Sequence, residues 1–326
     1  MRAIVITSPG PADVLQIRDV PKPAPRSGEI LVRIAATAVN RADILQRMGR
    51  YPAPPGWPGD IPGLEYSGIV EAVGAGAARW EPGDAVIGLA GGGTYAEFIA
   101  IPAGEAMRAP PAVPLVEAAA LPEAFIVAWD AMLSQAGLRR GHAVLIHGVG
   151  SGVGTAAIQI AKAVGARTLG TARTAWKRER AREHGLDVAI DPAAGFADAV
   201  LSETGGQGVN VILDLVGGNY LEDNVACLAT HGHLVIVGVV GGATATLDMR
   251  GLMRRRASIH GTLMRSRNSA EKVAVTTAFA DFALPLFEAG ALEPVIDSVL
   301  PLEAAADAHR RVESNASYGK VVLRVD

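Results

Sequence analysis

Residues 142–164 read HAVLIHGVGSGVGTAAIQIAKAV, and this stretch decides the fold. A short apolar run, Ala143–Ile146, predicts a β-strand, and a loop with alternate glycines follows it. Apolar residues then recur at positions 153, 156, 157, 160, 161 and 164, which is the spacing of an α-helix. A strand, a glycine loop and a helix in this order would place a helix N-terminus against a phosphate group.

The loop departs from the G-x-G-x-x-G fingerprint of dinucleotide sites. Aligned on its last glycine, it reads Val149-Gly150-Ser151-Gly152-Val153-Gly154, so two of the three fingerprint positions hold other residues. A tight strand-to-helix turn without a ligand therefore stays open as an alternative. The surrounding sequence has to decide between the two interpretations.

Composition limits the class of protein. The 326 residues, 49% hydrophobic and 19% charged, suggest about two domains with large cores. A net charge of −3 gives no electrostatic case for nucleic acid or an acidic membrane surface. The single cysteine, Cys227, excludes an internal disulfide and a Cys-cluster zinc site. The N-terminal residues lack signal-peptide features, and no apolar run reaches membrane-spanning length, so we expect a cytoplasmic protein.

The first 120 residues are predicted to be β-rich. Glycine and proline separate short runs with strand composition, which favours a small barrel or sandwich with one short helix, Arg41–Met48. The predicted strands are Ala3–Thr7, Leu15–Val20, Glu29–Thr37, Ser67–Val73, Ala85–Leu89 and Ala96–Pro102.

From about Leu121, strands and helices alternate, which is typical of a Rossmann-type, doubly wound parallel sheet. The predicted helices are Glu123–Ala136, Ala175–His184, Phe196–Thr204, Tyr220–Leu228 and Arg250–Arg255. The predicted strands after the opening stretch are Arg167–Thr171, Val188–Ile190, Val209–Leu215, Gly232–Val239 and Ser258–Thr262.

The C-terminal segment is predicted to return to the first domain. A long helix, Ala270–Ala289, is followed by strand Val295–Leu300, helix Leu302–Glu313 and strand Lys320–Val325. Because the closing strand resembles the first region, we expect an α/β protein with a discontinuous domain, 1–120 and 266–326, around a dinucleotide-binding domain, 121–265.

The end of the second parallel strand indicates which nucleotide is bound. No Asp or Glu occurs from Arg167 to Arg178, whereas Arg173, Thr174 and Lys177 stand just past the strand. An NAD site usually has an acid here, and a cation replaces it where a 2′-phosphate binds. The sequence therefore predicts NADPH, with an ordinary solvated basic loop as the alternative.

Six segments, in one order along the chain, resemble a known family. They are Asn40-Arg41-Ala42-Asp43 with Gly49-Arg50-Tyr51-Pro52, Pro62-Gly63-Leu64-Glu65, Pro82-Gly83-Asp84-Ala85-Val86, Leu145–Lys162, Leu263-Met264-Arg265-Ser266-Arg267, and His309 with Asn315 and Gly319-Lys320-Val321-Val322. The chain resembles the zinc-independent, zeta-crystallin-like quinone oxidoreductases of the medium-chain dehydrogenase/reductase superfamily.

The resemblance implies a GroES-like β-barrel domain, closed by the C-terminal tail, around a Rossmann domain. It also implies a homodimer, with the edge strand Ser258–Thr262 as a candidate contact. Zinc enzymes of this superfamily have Cys and His ligands where Asn40 and Leu64 stand, and neither residue type suits zinc. We therefore expect a metal-free active site.

Without a metal, the nicotinamide must carry the reaction, which suits a quinone or an α,β-unsaturated carbonyl. Tyr51 and Asn40 are the candidate catalytic residues, because both can hydrogen-bond an oxygen that gains charge. The alternative is that Tyr51 is a loop aromatic that only packs on the neighbouring prolines. Structural roles are favoured for Asp43, as a brace of the short helix, and for His147, as a brace of the glycine loop.

The resemblance also implies further cofactor contacts, and two positions depart from the family. The implied contacts, besides Asn40, the loop Gly150–Gly154 and Arg173, Thr174 and Lys177, are Glu123, Val127, Val239, Gly241, Gly242, Leu263, Arg265, Asn315 and Lys320. For Lys320 an ordinary surface lysine is an equal alternative. Val127 and Pro192 stand where relatives often have Thr and Tyr.

The leading hypothesis is an NADPH-dependent quinone reductase with a small-molecule acceptor. An NADPH-dependent enone or 2-alkenal reductase is the second enzyme hypothesis, because the same hydride geometry serves both. An NADPH-binding protein with a structural or sensing role and little catalysis is the alternative from another class.

Overall fold

A computed structural model describes residues 1–325. It divides into a mixed-sheet unit, Met1–Ile126 with the segment from Met264 onward, and a parallel-sheet unit, Val127–Leu263. The strands are β1 (Arg2–Ile6), β2 (Leu15–Asp19), β3 (Glu29–Ala38), β4 (Glu65–Val73), β5 (Ala85–Leu89), β6 (Phe98–Pro102), β7 (Ala106–Arg108), β8 (Ala143–His147), β9 (Arg167–Thr171), β10 (Val188–Ile190), β11 (Val209–Asp214), β12 (Leu228–Ile236), β13 (Ser258–Gly261), β14 (Ile296–Pro301) and β15 (Lys320–Arg324).

Within residues 1–325, ten α-helices accompany these strands. They are α1 (Arg41–Arg47), α2 (Leu115–Ala118), α3 (Pro122–Trp129), α4 (Gly152–Ala163), α5 (Ala175–Glu183), α6 (Ala197–Glu203), α7 (Leu221–Cys227), α8 (Met249–Arg255), α9 (Ser269–Glu288) and α10 (Ala305–Glu313). The chain from 1 to 325 has no helix with both the length and the apolar character needed to cross a bilayer.

The parallel-sheet unit confirms the predicted doubly wound sheet. Its six strands lie in the order β10-β9-β8-β11-β12-β13, and every adjacent pair is parallel. The central strand β11 has a fully buried apolar run, Val211–Leu213, as expected for a strand that is covered on both faces. The strand order reverses between β8 and β11, and in such sheets ligands bind outside the carboxyl ends of the strands at this switch point.

The mixed-sheet unit is built around a seven-stranded sheet. The main path is β14-β15-β3-β4-β5-β7, with β6 paired to β3, and β1 and β2 form a separate hairpin. The C-terminal strand β15 pairs antiparallel with β3 and parallel with β14. The C-terminal strand therefore lies in the same sheet as β3, while the discontinuous domain stays a prediction.

Some predicted elements need correction. The helix predicted over 123–136 is α3 followed by a π-helical stretch, Asp130–Gln135, where the Gln135 amide donates to the Asp130 carboxylate at 2.6 Å. The strand predicted over 232–239 runs from Leu228 to Ile236, because Leu228 still pairs with Val209 and a register shift leaves residues 229–232 without ladder partners. The short elements β7 and α2 were not predicted from the sequence.

The strand predicted as a dimer contact, Ser258–Gly261 in the structure, lies at the edge of the parallel sheet. On the adjacent helix α8, Met249 and Met253 are 68% and 72% exposed. The homodimer itself stays a prediction, as do the domain boundaries at 120/121 and 265/266.

Candidate active site

The glycine loop is held from the neighbouring strand. The carbonyl oxygen of Thr171 accepts hydrogen bonds from the Gly148 and Val149 N–H groups at 3.0 and 3.1 Å. A Cβ on Gly154 would lie 2.4 Å from the Gly148 carbonyl oxygen, so only glycine lets α4 approach the loop this closely. The glycine that the fingerprint requires for helix–strand packing is thus present despite the irregular sequence.

The N-terminus of α4 can hold an anion. Ser151 caps the helix, and its Oγ accepts from the Gly154 N–H at 3.0 Å. The N–H groups of Gly152 and Val153 donate to no described residue of the parallel-sheet unit. With the helix dipole, these two donors suit the pyrophosphate of a dinucleotide.

The end of β9 is basic, as predicted. Arg173 and Thr174 are exposed, and Lys177 lies one turn into α5 and is partly exposed. The nearby carboxylate of Asp191 is neutralised by Arg178 at 2.8 Å. An anionic ribose phosphate would therefore meet cations at this point rather than an unpaired acid.

A buried polar chain links the carboxyl ends of three parallel strands. Asn224 donates to the Asp214 carboxylate at 3.0 Å, so its amide oxygen faces His147 Nε2 at 2.7 Å and accepts from it. His147 Nδ1 then accepts from the Thr171 hydroxyl at 2.9 Å. His147 braces the strand ends directly, and the glycine loop only through Thr171.

Asp214 also fixes the loop that follows β11. Its Oδ1 accepts from the Val216 and Gly217 N–H groups at 2.7 and 2.9 Å. A Cβ on Gly218 would lie 2.7 Å from the Gly241 carbonyl oxygen, so the predicted residues Gly241 and Gly242 lie against this loop. Val239, just before them, is 49% exposed.

In the mixed-sheet unit, Asn40, Glu65 and Lys320 form a hydrogen-bonded triangle. Lys320 Nζ lies 2.6 Å from Glu65 Oε1 and 2.7 Å from Asn40 Oδ1, and Asn40 Nδ2 donates to Glu65 Oε1 at 2.8 Å. Lys320 is 5% exposed and Glu65 is fully buried. Lys320 is therefore not a surface lysine, and the Asn40 amide is oriented by two charged partners.

Glu123 starts α3 beside this triangle. Its N–H donates to Glu65 Oε2 at 2.8 Å, which satisfies the second oxygen of that carboxylate. Burial raises the pKa of the Glu123 carboxyl to about 8, and the charge of Glu65 contributes to the rise. Glu123 is partly exposed, unlike Glu65.

Tyr51 and Arg265 lie together. Arg265 Nη1 donates to the Tyr51 carbonyl oxygen at 3.2 Å, and its guanidinium lies 5.1 Å from the centre of the Tyr51 ring. Burial raises the pKa of the half-buried Tyr51 phenol, and the Arg265 charge opposes the rise. The phenol therefore stays protonated at neutral pH and is a hydrogen-bond donor.

Asp43 connects α1 to a second buried chain. Its carboxylate accepts from the Asn40 and Gly63 N–H groups at 2.8 and 3.0 Å, which is the predicted bracing role. Burial raises the pKa of Asp43 to about 6. Tyr95 donates to Asp43 at 3.4 Å and lies 3.1 Å from His309 Nε2.

His309 is held neutral by the next member of this chain. Arg47 Nη1 lies 3.3 Å from His309 Nδ1, and because arginine only donates, this nitrogen is the acceptor. Burial, helped by the Arg47 charge, lowers the pKa of His309 to about 3. Arg47 also binds Glu313 at 2.8 Å, at the partly exposed end of the chain.

The remaining predicted residues are placed as follows. Val127 is buried on α3, and Leu263 is 55% exposed at the end of the parallel-sheet unit. Asn315 has a left-handed backbone, with φ 57°, and accepts from Arg41 at 3.0 Å in the mixed-sheet unit.

Sequence reasoning missed Glu65, Asn224 and Asp214 as members of these clusters. Glu65 ends the segment Pro62-Gly63-Leu64-Glu65, which was used only for the family resemblance. A carboxylate just before the strand segment SGIV was the signal in the sequence that could have identified it. Between residues 1 and 325, no group of three or more His, Cys, Asp or Glu side chains is arranged to hold a metal ion. Leu64 is buried and offers no ligand atom.

Comparisons with known proteins agree with both units. Residues 26–111 match the family described as the alcohol dehydrogenase GroES-like domain, and residues 152–279 match the zinc-binding dehydrogenase family. The quinone oxidoreductase of Rattus norvegicus is 32% identical over 99% of this chain and 97% of its own length.

Solved structures with the same fold agree with these sequence matches. An NAD-dependent alcohol dehydrogenase superposes with a TM-score of 0.89 at 34% identity, covering 100% of both chains. A mycobacterial protein complexed with NADPH superposes with a TM-score of 0.87 at 31% identity, covering 99% of this chain and 100% of that one. The GroES-like and Rossmann-like fold, the full-length likeness and the dinucleotide-type loop lead to one conclusion: the chain belongs to the quinone oxidoreductases of the medium-chain dehydrogenase/reductase superfamily.

Proposed function

We propose that this oxidoreductase is an NADPH-dependent quinone reductase that works without a metal. The observation that carries the proposal is the triangle of Asn40, Glu65 and Lys320, with Glu123 close enough to interact electrostatically both with this triangle and with the Tyr51 phenol. The protonated Tyr51 phenol can donate to an oxygen on which charge develops, and the buried charge of Lys320 can stabilise that oxygen without a direct hydrogen bond. An amide already bound to Glu65 and Lys320 is also a poor zinc ligand.

NADPH, when bound, would supply a hydride to an electron-poor acceptor. The N–H groups of Gly152 and Val153 are proposed to bind its pyrophosphate, and Arg173 and Thr174 its ribose phosphate. The exposed backbone at Val239, Gly241 and Gly242 would line the same dinucleotide. The mycobacterial relative complexed with NADPH supports these roles. The relative named as an NAD-dependent alcohol dehydrogenase is the reason that NADH is included in the test below.

In the mixed-sheet unit, the proposed catalytic group is Tyr51. Asn40, which the sequence predicted as a second catalytic group, is a positioning residue, because its two amide N–H donors go to Glu65 and to the Ala38 carbonyl oxygen. The Tyr51 hydroxyl donates to no described residue of this unit, so it is available to an acceptor oxygen. Arg265 holds the Tyr51 backbone, which fixes the position of the phenol. Asn40 is held in one orientation by Glu65 and Lys320.

A substrate panel tests the proposal. Purified protein is mixed with NADPH or NADH and with benzoquinones, naphthoquinones, enones or 2-alkenals, and the loss of nicotinamide absorbance is followed. We expect quinones to be reduced, with NADPH preferred over NADH. Turnover of enones alone would assign an enone reductase, and NADPH binding without any oxidation would assign a binding protein.

A further inference from the structure

Glu123 lies in a cluster with an excess of acid groups. Three carboxyl groups share this part of the mixed-sheet unit with two cations, so full ionisation would leave uncompensated negative charge. The charged and titratable groups that face Glu123 are Glu65 on β4, Asp43 on α1, Lys320 on β15, and Arg265 and Tyr51 on loops. Of the three carboxyl groups, only that of Glu123 is partly exposed.

The nearest cation is committed to other acceptors. The three hydrogen bonds of Lys320 Nζ go to Glu65 Oε1 at 2.6 Å, Asn40 Oδ1 at 2.7 Å and the Val39 carbonyl oxygen at 3.5 Å. An ammonium group has three N–H donors, so none is left for the Glu123 carboxyl.

The second cation, Arg265, uses three of its five N–H donors on other acceptors, and none of its hydrogen bonds reaches the Glu123 carboxyl. Arg265 donates to the carbonyl oxygens of Gly91 and Tyr51 and to the Gln46 amide oxygen. In the described part of this unit, no residue donates a hydrogen bond to the Glu123 carboxyl. A carboxylate that is only partly exposed and receives no hydrogen bond from these residues favours its neutral form.

Other influences on Glu123 act in both directions. Burial and then the Glu65 charge raise the pKa of Glu123 to about 8, and the charges of Lys320 and Arg265 lower it. The first turn of α3 also favours the ionised form, through the helix dipole. The net balance keeps Glu123 protonated at neutral pH.

We propose that Glu123 is a further catalytic residue that supplies the proton consumed in the reduction, an inference that rests on the proposed reductase function. Quinone reduction takes up one hydride and one proton. As the acceptor gains the hydride, the O–H bond of Glu123 breaks and a new O–H bond forms on an acceptor oxygen. Glu123 is left as a carboxylate and regains a proton from solvent, which its partial exposure permits.

This division of labour also defines the role of Tyr51. Burial raises the pKa of its phenol above the usual value, so it is a weaker acid than a protonated carboxyl. Tyr51 orients the acceptor oxygen with a hydrogen bond, and Glu123 supplies the proton.

The protonation state is tested on the protein without cofactor. Infrared spectra at pH 7 should contain a protonated-carboxyl band that titrates near pH 8 and is absent from Glu123→Gln. Glu117→Gln, which changes a partly buried glutamate on α2, should keep the band. A spectrum in which Glu123→Gln and the wild type have the same band would overturn the proposal.

The catalytic role is tested by quinone turnover. Because a general acid contributes roughly 10²-fold or more, Glu123→Gln should lose about that factor at pH 7 and lose the decline in rate that the wild type shows above pH 8. NADPH is kept saturating, because Glu123 is also an implied cofactor contact, and Glu123→Asp should recover part of the rate. If Glu123→Gln turns over quinones at the wild-type rate, the role of Glu123 as proton donor is rejected and the proposed function stands. If the wild-type protein reduces no quinone, the proposed function itself is rejected.

Discussion

Lys320 and Glu65 are 255 positions apart in the sequence, and their side chains meet at 2.6 Å inside the mixed-sheet unit. Lys320 opens β15 and Glu65 opens β4, and both strands flank β3 in the sheet. Lys320 orients the Asn40 amide, and Glu65 accepts a hydrogen bond from the Glu123 N–H in the first turn of α3. Two elements that carry candidate catalytic residues are thus held by one buried ion pair.

Breaking this pair should be costly. Lys320→Met leaves the Glu65 carboxylate buried without its cation, and we expect a loss of about 3–5 kcal/mol in the free energy of unfolding by denaturant titration. Lys22→Met is the matched control, since it removes the exposed ion pair with Glu71 at 3.1 Å, for which about 0–1 kcal/mol is expected. Equal losses in the two variants would contradict the assignment of a structural ion pair to Lys320.

Tyr51→Phe removes the phenol hydroxyl and keeps the ring against Arg265. We expect lower quinone turnover, by about 10-fold or more, because one hydrogen bond to the acceptor oxygen is lost. The dissociation constant for NADPH, measured by fluorescence, should stay the same. Unchanged turnover would remove Tyr51 from the mechanism and favour its alternative role as a packing residue.

Arg173→Ala should weaken the preference for NADPH. A hydrogen bond to a charged group contributes about 1.5–3 kcal/mol, which corresponds to a roughly 10- to 100-fold larger dissociation constant for NADPH. NADH binding should not change, because it has no 2′-phosphate. Arg140→Ala, at an exposed arginine of the same unit before β8, should alter neither constant. Equal binding of NADPH and NADH by the wild type would rule out the predicted specificity.

His309 should make the protein sensitive to acid. The pKa of His309 is lowered to about 3 in the folded protein, while the unfolded chain takes up the proton near pH 6.5. The unfolded state binds more protons between these values, so the stability from this residue is complete above pH 6.5 and is lost as the pH falls toward 3. The slope is up to about 1.4 kcal/mol per pH unit.

Thermal melts from pH 7 to pH 4 measure this effect. His309→Gln should flatten the decline on the acid side, because glutamine has no proton to take up. His231→Asn, at an exposed histidine with a positive φ that asparagine tolerates, should keep the wild-type slope. Parallel curves for His309→Gln and the wild type would show that another group causes the acid sensitivity.

Local sequence predicted much of the fold. The bounds of Ala85–Leu89, Arg167–Thr171 and Val188–Ile190 agree with the structure, because short apolar runs between turn residues leave the chain few alternatives. The π-helical stretch Asp130–Gln135 was read as ordinary helix, because a widened turn keeps nearly the same apolar spacing.

The polar clusters were harder to predict. Asn40, Lys320 and Arg265 were named through resemblance, but Glu65 was not, because its role depends on a lysine that only the folded sheet brings to it. The same holds for Asn224 on α7, which bridges His147 at the end of β8 to Asp214 at the end of β11. Spacing along the chain carries no signal for such contacts.

The position of β15 also sets an order of events during protein synthesis. The strands of the parallel sheet are encoded in one continuous stretch, 143–261, so this sheet can pair as soon as that stretch has left the ribosome. The mixed sheet has to wait, since β3 lacks one neighbour until Lys320–Arg324 emerges. The proposed catalytic triangle therefore forms only after Lys320 has left the ribosome, and a nascent chain stalled before it has no buried cation for Glu65.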